Sequence, residues 1–206
     1  LNVRIVGTNA GFSSDWLGMT HQALEDVALM RAIPNMTVLI PADGAATYRM
    51  VEALIDYDGP AYLRIRGTAN EPHIRCDEPV VIGKARQIRA GNDLTIIAYG
   101  RLVYEAMQAA DQLAQEGINA RVLDMHTVKP LDEAAVLKAA AETKRILTVE
   151  EHNIIGGLGS AVAEVTSEHY PVTVRRMGVR DRYGIPGTEE DLFAFFGLTS
   201  EHIITE

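Results

Sequence analysis

Short apolar runs of strand length alternate along the chain with longer segments that carry apolar residues at helical spacing. In the first third, the apolar runs lie at residues 3–7, 37–40 and 61–65. Apolar residues recur at helical spacing between them, at 20–33 and 45–57. Alternating strands and helices with short connections are typical of a parallel sheet with helices on its faces. The pattern therefore predicts a βαβαβ unit at the start of the chain.

The periodicity is interrupted at residues 68–79, where two prolines and scattered charges stand in a segment without a regular pattern. A second α/β series follows. We therefore predict an α/β protein of two units with mostly parallel sheets flanked by helices, in which residues 1–72 form the first unit, 73–78 a linker and 79–206 the second. In the second unit, the predicted strands or extended segments lie at 83–89, 94–99, 120–124, 126–129, 145–149 and 172–176, and the predicted helices at 102–116, 133–142, 159–169, 189–196 and 200–203.

The amino-acid composition disfavours several classes of protein. The 206 residues carry a formal net charge of −9, which disfavours a general nucleic-acid binder. No apolar run approaches the roughly 20 residues of a membrane span. Cys76 is the only cysteine, which excludes a disulfide framework and favours a reducing cytoplasm. Because the chain begins at Leu1 and reaches a predicted strand by Val3, we expect it to be the later part of a longer protein.

The first loop concentrates polar and aromatic side chains at the carboxyl end of a predicted strand, where open α/β sheets bind their ligands. It contains Asn9, Asp15 and Trp16, and it leads to His21 and to Thr20, the predicted N-cap of the following helix. Asp43 and Asp132 precede two later helices and are predicted to cap them. An imidazole at this edge is able to polarise a substrate oxygen or to pass a proton. The alternative, a histidine that only decorates a helix start, stays open at this point.

Two arginines, Arg64 and Arg66, lie at the end of the third predicted strand. We expect strand alternation to turn them toward opposite faces, so that one faces a site and the other pairs with an acid at the surface. A guanidinium group binds phosphate through its planar fork. Arginines are nevertheless common at strand ends, so the pattern alone does not separate a phosphate ligand from an ion pair.

A polar, glycine-bearing loop is predicted at residues 150–158. It carries Glu150, Glu151 and His152, followed by glycines at 156, 157 and 159. A glycine-rich loop at a helix N-terminus favours anions. Two carboxylates would repel a phosphate, however, and the spacing matches neither the dinucleotide-binding GxGxxG nor the P-loop. We therefore predict a structural or interface loop. The sequence contains neither an HExxH nor a GxSxG motif, so we predict no metal site and no serine nucleophile.

Several strings of residues together resemble the transketolase superfamily. In the first unit these are GMTHQ at 18–22, ED at 25–26, MRAIPNMTV at 30–38 and PAD at 41–43. Parts of the second unit are similar to the C-terminal domain of that superfamily, namely PVVIG at 79–83, LTIIAYG at 94–100, LDMHTVKP at 123–130, TVEEH at 148–152 and GL at 197–198. The resemblance covers nearly the whole chain and identifies residues 1–72 as the back half of a pyrimidine-binding domain.

The resemblance implies an enzyme that uses thiamine diphosphate with magnesium to transfer a two-carbon ketol unit between sugar phosphates. It assigns His21 to the reacting carbons of the substrate. It assigns an arginine at the strand end to the sugar phosphate, best matched by Arg66 and less well by Arg64. Asn9 stands where relatives have a histidine and Leu17 where they have an aspartate, so the donor or acceptor preference is expected to differ. The residues around His21 are most similar to the C-terminal subunit of two-subunit (split) transketolases.

In that family the catalytic glutamate and the aromatic residues that stack on the cofactor lie upstream of the first residue of this chain. The resemblance therefore implies that the chain is inactive alone, and that it works as a homodimer or as a heterotetramer with an N-terminal, diphosphate-binding subunit. Partners of other kinds, nucleic acid or membrane, are not expected. Two alternatives remain. One is a fragment of a 2-oxo-acid dehydrogenase beta subunit or of a deoxyxylulose-phosphate synthase, and the other is a non-catalytic dimerisation module.

Overall fold

The computed structural model describes residues 1–67, 72–74 and 78–206, and within this part it contains nine strands, seven α-helices and one 3-10 helix. Most strand pairs are parallel and helices pack against the sheets, so the predicted α/β fold class is confirmed. Every helix in those ranges is too short or too polar to span a bilayer. The strands are β1 (Arg4–Gly7), β2 (Thr37–Leu39), β3 (Ala61–Arg64), β4 (Arg86–Arg89), β5 (Leu94–Ala98), β6 (Ala120–Asp124), β7 (Thr127–Lys129), β8 (Arg145–Asn153) and β9 (Thr173–Val179). The helices are α1 (Asp26–Ala32), α2 (Gly44–Ile55), α3 (Leu102–Gln115), α4 (Glu133–Thr143), α5 (Leu158–His169), α6 (Glu189–Phe195) and α7 (Ser200–Thr205).

The first sheet joins the two parts of the chain. Its order is β1-β3-β2-β7, and β1, β3 and β2 run parallel, as the βαβαβ pattern requires. The fourth strand, β7, comes from the second part of the sequence and pairs antiparallel with β2. The extended segment predicted at 126–129 therefore completes the first sheet. Of the predicted linker 73–78, residues 75–77 lie outside the described residues.

The second sheet has five strands in the order β4-β6-β5-β8-β9. Its strands β6, β5, β8 and β9 are parallel, and β4 at one edge is antiparallel. Helices cover both faces because the inner strands are apolar on both sides. Ile96 packs in one core with residues of α3, α6 and α7, and its neighbour Ile97 packs in another with residues of α4 and α5. The strand period of two thus separates the two cores.

Residues of the loop and helix that follow β1 pack into the hydrophobic cores on the two faces of the second sheet. Phe12, from the loop after β1, is fully buried beside Phe193 of α6. Val27 of α1 shares a core with Leu158 of α5. This packing brings the carboxyl ends of β1 and β3 against the end of β8, where Glu151 bonds to both. The candidate site therefore lies where the carboxyl edges of the two sheets meet.

Two of the three predicted helix caps are confirmed. Asp43 and Asp132 accept hydrogen bonds from backbone N–H groups in the first turns of α2 and α4. Thr20 does not cap a helix, and α1 begins later than predicted. Thr20 instead ends a 3-10 segment that starts at Asp15 and is kinked at Gly18, whose φ of 66° lies in the left-handed region that glycine favours.

The largest departure from the predicted elements is at the end of β8. This strand continues through Asn153, so the loop predicted from residue 150 is wrong at its start. Glu150, Glu151 and His152 are all buried within the strand. Their polarity alone indicates a loop. Each of these side chains finds partners in neighbouring elements, however, and a buried polar group with partners does not disfavour the strand.

Candidate active site

The candidate site is built from segments that leave the carboxyl ends of parallel strands. Residues 8–25 follow β1, residues 65–67 follow β3, and residues 180–188 follow β9. The end of β8 contacts the first two of these segments. Open parallel sheets bind ligands at this edge, because the chain diverges there and helix N-termini point toward the gap.

The base of the loop after β1 is held by hydrogen bonds and a buried ring. The N–H of Gly11 donates to the Ala23 oxygen at 3.1 Å, which closes the loop on itself. The N–H of Phe12 donates to a carboxylate oxygen of Glu151 at 2.6 Å, and the Phe12 ring stacks on Phe196 with 5.0 Å between centroids. Gly11 has a φ of 61°, and a Cβ there would lie 2.2 Å from the Glu151 carboxyl carbon, so the position requires glycine.

The tip of the same loop presents His21 to solvent. Gln22, the next residue, is buried and holds the tip in place: its Nε2 donates to the Asp15 oxygen at 3.0 Å and to the Ile185 oxygen at 2.9 Å. The Nδ1 of His21 lies 2.9 Å from Thr20 Oγ1, and its Nε2 makes no hydrogen bond to any residue that the structure describes. An exposed imidazole nitrogen on a well-anchored backbone is available to bind a ligand or to exchange a proton with it.

Large apolar side chains precede His21 on this loop. Trp16, Leu17 and Met19 are 65%, 59% and 60% exposed. Single exposed apolar residues are ordinary, but several in one short segment are typical of a surface that another molecule covers. The loop therefore combines a polar group suited to chemistry with an apolar surface suited to a partner.

Arg64 is buried at the end of β3. Its Nε lies 2.8 Å from Asp26 Oδ2, and its Nη2 donates to the backbone oxygens of Ala23 and Glu151 at 2.9 and 3.1 Å. Burial opposes ionisation of Asp26, but the Arg64 guanidinium and the Tyr62 hydroxyl outweigh it and lower the pKa of that carboxyl. Arg64 is only 1% exposed, so its cation is engaged inside the protein.

Arg66 reaches two carboxylates. Its Nη1 donates to Glu151 Oε2 at 2.7 Å, and its Nη2 lies 2.7 Å from Glu189 Oε1. The Arg66 side chain is 7% exposed, so the expected surface ion pair is found at neither arginine. The expectation of opposite faces is also wrong, since Arg64 and Arg66 both bond to Glu151. The physical reason is that residues two apart on an extended chain point the same way.

Glu150 caps the helix that follows β8. Its carboxylate oxygens accept hydrogen bonds from the N–H groups of Leu158 and Gly159 at 2.7 and 2.9 Å. Complete burial raises the pKa of Glu150 to about 7, and the two N–H donors act in the opposite direction. A Cβ at Gly157 would lie 1.9 Å from Glu150 Oε2, so the glycine leaves room for the carboxylate. The helix N-terminus at this glycine-rich segment is thus filled by a carboxylate of the protein itself.

His152 ties β8 to α1. Its Nε2 accepts a hydrogen bond from the N–H of Ala28 at 3.3 Å, and its Nδ1 lies 2.6 Å from the Asn153 oxygen. An N–H donor on one side and a carbonyl on the other fit a neutral imidazole with its proton on Nδ1, and burial lowers the pKa of His152. Three consecutive residues of β8 therefore hold three elements: Glu150 holds α5, Glu151 holds the loop after β1, and His152 holds α1.

Asn9 lies at the carboxyl end of β1, next to the turn after β3. It is exposed, has a φ of 57°, and its Oδ1 lies so close to Gly67 that a Cβ there would be 2.0 Å away. The structure thus places Asn9 beside the turn that carries Arg66, and it brings Arg64 to the backbone oxygen and Arg66 to the carboxylate of one residue, Glu151. His21 shares the loop with Asn9, but its hydrogen bonds within the described residues are confined to the loop tip.

Sequence reasoning did not connect Arg66 with the three residues that complete its charge cluster. These are Glu151 on β8, Glu189 at the start of α6, and Arg101, which lies 2.8 Å from Glu189. Each looks like an ordinary charged residue in its own segment. The acidic pair after the strand run at 145–149 is the one available signal, and its polarity by itself indicates a loop.

The described part of the chain offers no evident metal site. In the ranges 1–67, 72–74 and 78–206, no group of three or more His, Cys, Asp or Glu side chains is arranged to hold a metal ion. The arrangement can instead exchange a proton at His21 and balance negative charge near Arg66.

Comparison with known families gives two matches that together cover most of the chain. Residues 83–203 match the transketolase C-terminal domain, and residues 1–69 match the transketolase pyrimidine binding domain. The pyrimidine-binding match contains β1, β2 and β3, and the C-terminal match contains β4 to β9, including β7 of the first sheet.

Individual relatives agree with these matches. The chain is 44% identical to the 6-deoxy-6-sulfo-D-fructose transketolase subunit SqwH of Clostridium sp. (strain MSTE9), across 99% of this chain and 63% of that protein. It is also 44% identical to one of the subunits of the apulose-4-phosphate transketolase of Phocaeicola vulgatus, across 98% of this chain and 65% of that protein. A solved structure described as a split gene transketolase, inactive beta4 tetramer, has a TM-score of 0.88 at 41% identity, across 100% of this chain and 65% of that one. The chain thus spans less than two thirds of the length of these relatives.

Proposed function

Since the chain belongs to the transketolase family, we propose that it is part of the C-terminal subunit of a split transketolase, and that the parent enzyme transfers a two-carbon ketol unit between sugar phosphates. The observation that carries the proposal is the loop after β1. It exposes the His21 imidazole at the carboxyl edge of the first sheet, while buried contacts of Phe12 and Gln22 fix its backbone. Two relatives bear the names of a sulfonated and a phosphorylated sugar, which supports a sugar with an anionic end as the substrate.

Each site residue has a role in this proposal. His21 binds a substrate oxygen through Nε2 and holds or passes a proton at that atom. Asn9 hydrogen-bonds a sugar hydroxyl from the end of β1, and Arg66 binds the anionic end of the sugar. Arg64 is enclosed by Asp26 and two backbone oxygens, so we assign it to supporting the turn that carries Arg66.

Transketolases depend on thiamine diphosphate, and we propose that magnesium accompanies it. When bound, this cofactor supplies the nucleophilic carbon and the electron sink. The described residues do not fit as the holder of its diphosphate. They contain no metal-binding group, and Glu150 already fills the N-terminus of α5, which would otherwise favour a phosphate. We therefore assign the diphosphate and its metal to an N-terminal subunit.

The exposed apolar surface of the loop after β1 supports a partner at this place. Trp16, Leu17 and Met19 are more than half exposed beside the candidate catalytic residue. We propose that a second subunit covers them, in a homodimer or in a heterotetramer with an N-terminal, diphosphate-binding subunit, and that this chain is inactive alone. A related split gene transketolase is described as an inactive beta4 tetramer, which supports inactivity without a second kind of subunit.

The test is ketol transfer by the full-length protein together with its N-terminal subunit, thiamine diphosphate and magnesium. We expect His21→Ala to lower kcat by about 10²–10⁴-fold, the usual loss for an acid–base group. His169→Ala, an exposed histidine at the end of α5, is the matched control and should leave kcat unchanged. Equal activity of the two variants would contradict the role of His21. Turnover by the 206-residue chain alone would contradict its inactivity.

Substrate profiling separates ketol transfer from the other reactions of related enzymes. Turnover of sugar phosphates supports the proposal, whereas decarboxylation of 2-oxo acids would favour a 2-oxo-acid dehydrogenase beta subunit or a deoxyxylulose-phosphate synthase. The exposed apolar residues also favour a second candidate, a dimerisation module without catalysis. Sedimentation that shows self-association, with Trp16 fluorescence unchanged by cofactor and by sugar phosphate, would support that module.

A further inference from the structure

Two arginine side chains from different sheets converge on one carboxylate oxygen. Arg66, after β3, and Arg101, just before α3, lie 2.7 and 2.8 Å from the same atom, Oε1 of Glu189. Both guanidinium groups also lie over the Phe193 ring, at 5.5 and 4.4 Å from its centroid. Two planar forks that share one anionic oxygen beside an aromatic ring have the geometry of an oxoanion site.

This arginine pair is partly accessible and lies next to the loop that carries His21. The side chains of Arg66, Arg101 and Glu189 are 7%, 18% and 22% exposed, so the carboxylate is the most exposed member. On its other side Arg66 bonds to Glu151, which also accepts the N–H of Phe12 at the base of the loop. An anion bound by the pair would therefore lie at the edge of the candidate active site.

The two carboxylates on Arg66 are held very differently. Glu151 is 3% exposed, and its second oxygen accepts the N–H of Phe12 at 2.6 Å, so it is fixed in place. Glu189 is the first residue of the seven-residue helix α6, and its carboxylate contacts within the described part of the chain are the two arginines alone. Arg101 has a further acid, Glu105, at 3.6 Å. Rotation of Glu189 therefore breaks two ion pairs, both of which an incoming oxoanion restores.

We propose that Arg66 and Arg101 together bind the terminal oxoanion, phosphate or sulfonate, of the sugar substrate, and that Glu189 occupies their shared site as an internal competitor while substrate is absent. The inference rests on the proposed ketol-transfer function and adds two residues to it. Arg101 contributes the second guanidinium group. Glu189 sets the affinity, because each bound anion has to displace a negative charge that is already in place.

Binding of inorganic sulfate and phosphate tests the arginine pair without any reaction. The titration uses the full-length protein in complex with its N-terminal subunit. We expect Glu189→Gln to bind sulfate at least about tenfold more tightly than the unmodified protein, because a neutral amide replaces a charged competitor. Glu190→Gln, the next residue of α6, is the matched control and should bind as the unmodified protein does. Equal sulfate affinity in the Glu189→Gln and unmodified proteins would overturn the proposal.

A kinetic test separates a binding role of Arg101 from a structural one. The preference for an anionic acceptor is the ratio of its kcat/KM to that of a neutral acceptor of the same length, measured for a phosphorylated and for a sulfonated sugar. We expect Arg101→Gln to lower both preferences by about tenfold or more, through KM, and Arg175→Gln, at an exposed arginine of β9, to leave them unchanged. An equal loss of kcat/KM on all three acceptors would show a structural role and overturn the proposal. If the assembled enzyme transfers no ketol unit at all, the proposed function fails, and the sulfate titration still decides the anion site.

Discussion

The loop that carries His21 and the end of β8 hold similar side chains in opposite environments. His21 is exposed, with no hydrogen bond to Nε2 from the described residues. Glu150, Glu151 and His152 are 0%, 3% and 0% exposed, and each accepts a backbone N–H from a different element. The exposed group has its hydrogen-bonding capacity left for a ligand, and the buried groups have used theirs to hold the structure.

The role of a polar residue in this protein therefore depends more on its hydrogen-bond partners than on which amino acid it is. A histidine on the loop is a candidate for chemistry, whereas a histidine at the end of β8 fixes α1. The two regions also depend on each other. Glu151 holds the base of the loop through Phe12 and holds Arg66 at the same time. Sites of this kind need a rigid set of supporting groups beneath the residues that meet the substrate.

The largest effect on stability is expected when a buried cation is removed. Arg64→Met keeps a similar volume but leaves Asp26, whose side chain is 15% exposed, with one side-chain hydrogen bond from the described residues, that of Tyr62. We expect a loss of about 3–5 kcal/mol in the free energy of unfolding, the usual cost of breaking one side of a buried ion pair. Arg175→Met, whose side chain is 66% exposed beside Glu206, is the control and should change little. Equal losses in denaturant titrations of the two variants would break the comparison between buried and exposed charge.

The buried carboxylate of Asp124 extends the comparison to the pH dependence of stability. Neither oxygen of Asp124, at the end of β6, has a hydrogen-bond partner within the part of the chain that the structure describes. Burial raises its pKa from 3.8 to about 7, against the opposing effect of Arg86. The folded state therefore holds this proton more tightly than the unfolded state does. Its contribution to stability is fully present below about pH 4 and is lost as the pH rises through about 7.

Asp124→Asn removes this dependence. Relative to the unmodified protein, we expect the variant to gain up to about 4 kcal/mol between pH 4 and pH 8, as a shift of roughly three pKa units implies. The nearby His126, whose pKa burial lowers from 6.5 to about 4, contributes the opposite slope. It is present in both proteins, so the difference between their unfolding curves isolates Asp124. A difference that stays constant with pH would contradict the raised pKa.

A smaller loss of stability is expected when Glu150 of β8, which caps α5, is replaced. Glu150→Gln leaves one carbonyl oxygen for two N–H donors, at Leu158 and Gly159, and turns an amide N–H₂ group toward one of them. We expect a loss of about 2 kcal/mol at pH 5, within the range for a buried donor that loses its acceptor, and a smaller loss at pH 8, because the raised pKa of Glu150 makes its ionised form less favourable in the folded state. Glu164→Gln, exposed on the same helix, is the matched control. Thermal unfolding that ranks the two variants equally would show that the cap does not stabilise α5.

The smallest effect on stability is expected at the loop tip. His21→Ala should change the free energy of unfolding by less than about 0.5 kcal/mol, as surface substitutions usually do. The same substitution is expected to lower ketol transfer strongly. A large loss of stability would place His21 with the supporting residues and remove the contrast with His152.

Much of the local structure could be predicted from the sequence. The βαβαβ start, the capping aspartates Asp43 and Asp132 and the buried run of β5 all follow from spacing over a few residues. The same reasoning failed at Glu150, because a buried carboxylate at the end of a strand needs a donor from another element. It also failed at Thr20, where a kinked 3-10 segment delays α1.

The sequence by itself determined most of the elements of this protein and the loop on which chemistry is expected, because strand and helix periodicity are local properties of neighbouring residues. The tertiary structure decided which charges meet. Arg66 finds Glu151 across 85 residues, and Gln22 finds the Ile185 oxygen across 163. Such contacts form only when helices and sheets pack and exclude water. A polar or charged group that is buried in this way needs a partner, and the packing decides which groups lie within reach of it. That packing turned an acidic strand end into the support of the candidate site.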